Sequence, residues 1–487
     1  MWYPSTPPKS KCHQNPANDS ANDSAGDSFD NVAFSPLQPL EPLNSFQSFD
    51  IEEPPDEGTS SMRMAFMNMA NSIIGAGIIS QPFAMRNCGL VGGCIIMVLL
   101  TFLVDWTLRL IVVNAQLSNT RSYQDTVQHC FGRTGRFFFL LTISSFAYGG
   151  CMAFCVIIGD TIPHVLRLFL PASMYEAGMF FAPLLLRNFI IVLFTVGMSY
   201  PLSLHKDISR LAGASALALV GMVIIVAITL LRAPFVSASL MAPLTRAEWL
   251  VNSNMFQGIS VMSFALVCHH NTLFIFNSMR NATVARFATL THVTCAVSLC
   301  FCLLMGALGL LNFGHNVKGN ILNNFSANDP WINVARFCFG MNMLTTFPLE
   351  IFVVRDVLKD IVAPAHIAGA LPELTDGQHV LITTFLVFSS MSVSLFTCNL
   401  GMILELIGAT AALLMSYIIP PLCYVQLSLA GFDYHAALVV EKRAFMFRKA
   451  VPSVLCVLFG VTIMVVSSYM TLRTSLASSG ENHCVDD

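Results

Sequence analysis

Charge is what this chain has least of. Only 11% of its 487 residues are Asp, Glu, Lys or Arg, where a soluble globular protein carries about 25%. So thin a supply cannot cover a water-facing surface, and it excludes an ordinary soluble enzyme. Basic tracts are missing as well. The net charge is −3, and no Lys/Arg run offers a footprint for nucleic acid, so no such partner is expected. Paired cysteine spacing is absent too: the 15 cysteines fit neither a disulfide framework nor a zinc site, and most, such as Cys295, Cys300 and Cys302, lie in apolar segments as small hydrophobes. No nucleophile–base set, metal cluster or phosphate loop is visible, so neither an enzyme nor a cofactor is expected. Residues 1–61 lack the apolar stretch of a secretory leader. They are polar and hold ten of the 28 acidic residues, with Lys9 and Lys11 as bases. They read as a disordered cytosolic tail.

What the chain does have is apolar length. Hydrophobic residues make up 55% of it, and its mean hydropathy is +0.66. A membrane span needs about 20 apolar residues. Stretches of that length alternate with short polar links from residue 64 onward. They predict eleven spans at about 64–86, 89–113, 137–159, 181–203, 211–232, 255–277, 288–311, 331–354, 379–397, 400–427 and 450–472. The expectation is an all-α polytopic protein of the lipid bilayer. Its transmembrane domain covers 62–472, and 473–487 form a short C-terminal tail. With the N-terminus in the cytosol, 17 of the 25 Lys and Arg residues fall on the cytosolic side and seven on the other, as the positive-inside rule requires. Asn324-Phe-Ser326 then lies outside or in a lumen as a glycosylation sequon. The sequons at Asn18, Asn22 and Asn281 lie in the cytosol and should stay unmodified.

Two spans carry residues that break helices. "NSIIGAGIISQPFA", residues 71–84, places Asn71, Ser72, Gly75, Gly77 and Pro82 inside the first. Non-helical backbone survives in hydrocarbon only where it lines a cavity in the protein. There, freed carbonyls can hold a cation and freed N–H groups a carboxylate. The competing reading is close helix packing through small residues. Span six carries Cys268, His269, His270, Asn271 and Thr272 in mid-span, and polar groups at that depth usually face a pathway. Spans one and six stand five apart, as they would if spans 1–5 and 6–10 were inverted repeats with the binding site between their broken first helices. Adjacent histidines point apart and suit a metal poorly, but His269 and His270 could carry protons. Thr345 and Thr346 in span eight offer hydroxyl oxygens to a monovalent cation, or bond back to their own helix. Glu350 and Glu405, near span ends, read as capping or salt-bridge residues. Asp105 lies deeper.

Together these residues resemble a family. "NSIIGAGIISQPFAMRNCG" is similar to the first helix of the amino acid/auxin permease superfamily, in particular of the sodium-coupled neutral amino acid transporters of solute carrier family 38. "GISVMSFALVCHHNTLFIFNSM", "YPLSLHKDIS" at 200–209, "TTFPLEIFVVRDV" and "LGMILELIGA" at 400–409 follow in the same pattern. Within the family the chain resembles the branch of the eleventh member, over about residues 62–472.

The resemblance implies a five-plus-five inverted repeat (LeuT-like) with an eleventh helix, and secondary transport of amino acids. It matches Asn71 to an asparagine linked to sodium and substrate, Ser72–Gly77 to the unwound segment, and Thr345 or Thr346 to a hydroxyl near the sodium site. Many members carry Pro-Glu after the span-six His, where this chain has His270-Asn271. On this reading a small neutral amino acid binds with its carboxylate on N–H groups around Ala76 and Gly77. Its ammonium meets carbonyls of span one and of Ser263, Phe264 and Val267, with Ser72 and Gly75 completing the site. A sodium ion sits between Asn71, Ile73, Thr345 and Thr346. The alternatives are a proton-coupled vacuolar or lysosomal transporter, served by His269 and His270, and an amino acid sensor. The membrane is the plasma membrane or an endolysosomal one.

Overall fold

The computed structural model describes residues 58, 60–169, 186–205, 214–362, 374–397, 399–430, 443 and 445–477. The predicted N-terminal tail, with Asn18 and Asn22, lies outside the described residues apart from its last positions, as do residues 478–487 and the 206–209 end of the "YPLSLHKDIS" motif. Among the described residues there is no strand, only a single bridge between Ser60 and Met279.

The first predicted span is three pieces: α1 (Met62–Ile74), a 3-10 turn (Ala76–Ser80) and α2 (Gln81–Cys88). Then come α3 (Leu90–Leu117), α4 (Tyr123–Phe169) and α5 (Arg187–Phe194), which runs through a π turn (Thr195–Ser199) into α6 (Tyr200–Ser203). Next are α7 (Ala214–Arg232) and the short α8 (Arg246–Trp249). The sixth predicted span is again broken, as α9 (Met255–Leu266), a 3-10 turn (His269–Asn271) and α10 (Thr272–Ser278). After it run α11 (Val284–Phe313), α12 (Pro330–Val362), α13 (Asp376–Phe396) and α14 (Leu400–Ile407). Two π turns lead from α14 into α15 (Ile419–Ala430), and α16 (Val451–Ala477) ends the order.

Nine helical stretches among the described residues are long and apolar enough to cross a membrane. Of the other two predicted spans, 64–86 is interrupted, and 181–203 is described only from residue 186. Large apolar side chains such as Phe102, Phe385 and Phe396 stand exposed, Phe396 at 91%. In water such a surface would be a liability; against lipid tails it is ordinary.

Polar residues at the links start the helices. Ser61 accepts the Met64 N–H, and Thr283 the Arg286 N–H. Thr375 and Gln378 form a reciprocal capping box on α13, and Asn399 accepts the Met402 N–H on α14. α4 is two helices that meet at a kink at Gly132 (φ +67), the first of them, from Tyr123, preceding the predicted span; glycine adopts this conformation without Cβ strain. Arg136 bonds back across the bend to Asp125 and Gln128. α12 extends beyond the predicted span to Val362, which places Glu350 well inside the helix.

One loop is built as a cap. Arg336 is buried and donates to the carbonyls of Leu322 (2.7 Å), Phe325 (3.0 Å) and Ser326 (3.3 Å) and to Asn333 Oδ1 (2.6 Å). This pins the segment between α11 and α12 onto α2: Ser80 Oγ donates to the Gly319 carbonyl at 2.7 Å, and Arg86 to those of His315 and Val317. Asn323 reaches Asp160, whose carboxylate also pairs with Arg187 at 3.3 Å. In the sequon of this loop, Asn324 is only 7% exposed. Its amide donates to the Asn316 carbonyl and accepts from the Lys318 N–H. A glycan could join that nitrogen only before the loop closes.

Candidate substrate site between two broken helices

The interruptions expected at Gly75–Gly77 and around His269 lie side by side. α1 ends at Ile74, and the chain re-enters a helical turn at Ala76. α9 ends at Leu266; Val267 is extended (φ −77, ψ 118), and the next turn begins at His269. At each break the last turn of the first half-helix loses its i+4 donors, and the first N–H groups of the second half lose their acceptors. Carbonyls from Asn71–Ile74 and Ser263–Leu266 therefore gather with N–H groups near Ala76 and Gly77, of which Ala76 is described in its backbone alone.

The two glycines of the first break differ in role. A Cβ built on Gly77 would lie 2.4 Å from Ala265 Cβ and 2.5 Å from Ala265 Cα. Gly77 is therefore the point where the first break presses on α9, which is the close-packing reading of a small residue. Gly75, at the junction itself, has its own Asn71 carbonyl as nearest neighbour, at 3.2 Å.

Side chains tie the breaks together. Asn271 Nδ2 donates to Ser72 Oγ at 3.3 Å, a link between spans one and six made by one of the two residues that depart from the family pattern. His269 is fully buried, with Nε2 2.9 Å from Thr107 Oγ1 on α3, while its Nδ1 has no partner. The His270 ring lies 5.3 Å from that of Phe146 on α4, and Phe146 in turn lies 5.4 Å from Phe264. Ser263 is buried with an unpartnered Oγ. Gln81 is buried and donates to the Gly77 carbonyl at 2.9 Å, its Oε1 left without a donor. The result is a small polar centre walled on one side by aromatic rings. No group of three or more His, Cys, Asp or Glu that could hold a metal occurs among the described residues.

Other expected residues are placed differently. Asn71 is half-buried, and Ile73 is buried behind it. Thr345 Oγ1 donates to the carbonyls of Met341 and Asn342, and Thr346 Oγ1 to that of Asn342 at 2.8 Å. Both hydroxyls thus bond back to their own helix, and no hydrogen bond joins them to span one among the described residues. The oxygens keep lone pairs free. Asp105 pairs with Arg109 (2.9 Å) and His292 (3.0 Å).

Glu405 corrects the salt-bridge expectation. It is buried, and it accepts from Asn87 Nδ2 on α2 (3.2 Å), Gln257 Nε2 on α9 (3.2 Å) and Thr471 Oγ1 on α16 (3.3 Å), with no ion pair among the described residues. Ser467 of α16 bonds Ser260 of α9 at 2.6 Å. One carboxylate therefore gathers the Cys88 ends of both broken spans. Glu350 makes neither a cap nor an ion pair among the described residues. Sequence reasoning missed Phe146, Gln81, Asn87, Gln257 and Thr471. The signal available for Gln81 was an amide within the quoted apolar stretch, beside Pro82.

Burial is lopsided along the broken spans. On the Cys88 side every residue from Gln257 to Leu266 is buried, with most of α2. On the Met62 side, α1 buries five of its 13 residues. The site is sealed at one end and only half covered at the other.

Comparison with known proteins identifies the family. The profile of the transmembrane amino acid transporter protein family matches residues 58–473. The chain is 46% identical over 429 residues to the Vacuolar amino acid transporter 2 of Saccharomyces cerevisiae, covering 87% of this chain and 86% of that one. It is 33% identical over 374 residues to the Danio rerio protein with the provisional name sodium-coupled neutral amino acid transporter 11, covering 76% and 80%. Identity to the Sodium-coupled neutral amino acid transporter 7 of Xenopus laevis is 26% over 385 residues, covering 78% and 83%. The chain is a multi-pass membrane protein and belongs to the transmembrane amino acid transporter family.

Proposed function

We propose that the chain is a secondary active transporter of neutral L-amino acids. It works by alternating access around the broken spans one and six, within eleven spans arranged as a five-plus-five inverted repeat plus α16. The observation that carries the reading is the meeting of the two interruptions, through Asn271–Ser72 and Gly77–Ala265. The substrate carboxylate lies on the N–H groups at Ala76 and Gly77, and its ammonium meets the carbonyls of Ser263, Phe264 and Val267. The side chain is directed at the Phe146–Phe264–His270 wall. The coupling ion is sodium, held near Asn71, Ile73 and the free lone pairs of Thr345 or Thr346. The N-terminus is cytosolic, so the sealed Cys88 side faces outward or into a lumen. Opening requires the outer halves of spans one and six to part, and rigid halves pivoting at the breaks supply that motion.

A second reading has its own support. The 46% relative is named as a vacuolar transporter, which favours coupling to protons across an acidic organelle membrane, with His269 and His270 at the break. Uptake of labelled neutral amino acids into proteoliposomes separates the readings. Acceleration by an inward sodium gradient supports the first, and acceleration by a proton gradient alone supports the second. Binding with no flux under any gradient refutes transport and leaves a sensor.

A further inference from the structure

Glu350 is the group that the site described above leaves unused. It lies inside α12, and the sequence around it, "LTTFPLEIFVV", is otherwise free of charge. Its Oε2 is buried, and the side chain has no hydrogen bond and no ion pair among the described residues. A buried carboxylate with no partner is costly, and within a membrane span such a group is retained for function.

Its surroundings identify what it could hold. Asn342, Thr346 and Glu350 follow one another at intervals of four, so they form a single stripe on α12. The stripe is already linked at one end: Thr346 Oγ1 lies 2.8 Å from the Asn342 carbonyl and 3.2 Å from Asn342 Oδ1. Across from Glu350, α4 presents Gly150; a Cβ there would stand 3.9 Å from Glu350 Cγ. The same point lies 3.9 Å from Phe154 Cζ, so α4 faces the Glu350 stem with a glycine and an aromatic ring. Side chains on a helix lean toward its N-terminus, so Glu350 leans toward the turn that carries Thr346; a carboxylate and a hydroxyl one turn apart make an oxygen pair with one negative charge, and hard cations prefer oxygen ligands.

The neighbouring protein cations are engaged elsewhere. Arg355, on the same helix, donates to the carbonyls of Ser203 and His205 and to Thr383, and lies against His379. On α7 the one charged side chain, Arg232, is held by Asp329. On α4 the neighbouring titratable group is Cys151, while Asp160 is committed to Arg187. On α13 the titratable groups are Asp376 and His379.

We infer that Glu350 is the carboxylate that receives the coupling cation, with Thr346 as its neutral oxygen partner and Asn342 holding Thr346 in place. The inference rests on the transport reading and adds a negative charge, on the α4–α12 face, to an ion site that otherwise holds only neutral oxygens. Sodium and a proton both satisfy the carboxylate, and the test separates them.

The test uses the full chain, purified, with the variants Glu350→Gln and Glu350→Asp. Binding of radioactive sodium alone is measured in detergent. In proteoliposomes, amino acid uptake is measured under sodium and proton gradients, alongside counterflow exchange of amino acids without any gradient. The expected result is that E350Q keeps counterflow but loses its response to whichever gradient drives the wild type. E350D keeps the response with a lowered apparent cation affinity. Loss of sodium binding in E350Q identifies sodium, and loss of the proton response alone identifies the proton. The inference is overturned if E350Q responds to the gradient like the wild type. If E350Q does not fold, unchanged cation affinity in E350D overturns it equally. Failure of the wild type to show flux or counterflow would refute the transport reading itself, and sodium binding by the wild type and E350D would still report on Glu350.

Discussion

Replacing Gly77 with alanine tests whether the first break is held against α9 by direct packing. The added Cβ would stand 2.4 and 2.5 Å from two atoms of Ala265, one of them backbone. Ordinary carbon–carbon separations are about 3.5–4.0 Å, so the two spans must separate by about 1 Å. Overpacking of this kind costs about 1–3 kcal/mol. The strain falls on the arrangement in which the outer halves are closed, so that state loses between about fivefold and a hundredfold in population. Gly75→Ala is the control, because its nearest neighbour is the chain's own Asn71 carbonyl at 3.2 Å, and a shift of a few tenths of an ångström relieves it. Counterflow of a labelled neutral amino acid in proteoliposomes and thermal unfolding of the purified protein are measured for both. G77A should lose most of its counterflow and melt several degrees lower, with G75A close to the wild type in melting. Ala265→Gly on the G77A background should restore only part, since the clash with the backbone of residue 265 persists. Wild-type behaviour of G77A, or a G75A protein that melts lower than G77A, would refute the packing role.

Three further outcomes are expected. Glu405→Ala leaves Asn87, Gln257 and Thr471 without their shared acceptor, which should cost about 3 kcal/mol. It should also raise maleimide labelling of the buried Cys88, and unchanged labelling would count against a closed end held by this carboxylate. Arg336→Met removes the donors to three loop carbonyls and should destabilise the protein by about 1–3 kcal/mol for each carbonyl left buried without a donor. Limited proteolysis between residues 317 and 329 is the measurement, and a loop that stays resistant would refute the anchoring. Asn271→Ala removes the bond to Ser72 and should raise the apparent KM about tenfold with smaller loss of kcat. A fall in kcat alone would place Asn271 in the moving machinery instead.

Much of this was legible in the sequence, and the reasons are physical. Spanning helices announce themselves by apolar length, so nine predicted spans coincide with helices long enough to cross. The breaks were legible because Gly75, Gly77 and Pro82 weaken a helix, and because Cys268–Thr272 is too polar for lipid. What stayed hidden was pairing. Asn271 meets Ser72 across 199 residues, and Asn87 meets Glu405 across 318; no local pattern encodes such partners. Glu350 was misplaced for a different reason. Hydropathy falls at Arg355, Asp356 and Lys359, so the apolar window closes there, but the helix continues to Val362. The span end marked by composition is not the end of the helix, and a carboxylate that looked peripheral is interior.

The chemistry of the sealed end bears on how it could open. Its ties are the amides of Asn87 and Gln257 on Glu405, Ser80 on the Gly319 carbonyl, and Arg86 on two loop carbonyls. Each such bond contributes only about 0.5–1.5 kcal/mol net, or somewhat more where a charge takes part, because water replaces it on opening. Closure by a dry apolar seam would be different: every buried methylene would cost about 0.8 kcal/mol to expose, with nothing in return. The Cys88 side has both: these ties, and the apolar packing of the buried Ala84, Met85 and Cys88 of α2 and Ile259 and Met262 of α9, so on the proposed mechanism the binding of substrate and ion must offset the apolar part as well. α16 takes part through Ser467, which bonds Ser260 of α9, and through Thr471, which bonds Glu405 of α14; on the proposed mechanism, an opening of span six at this end breaks the Ser467–Ser260 bond.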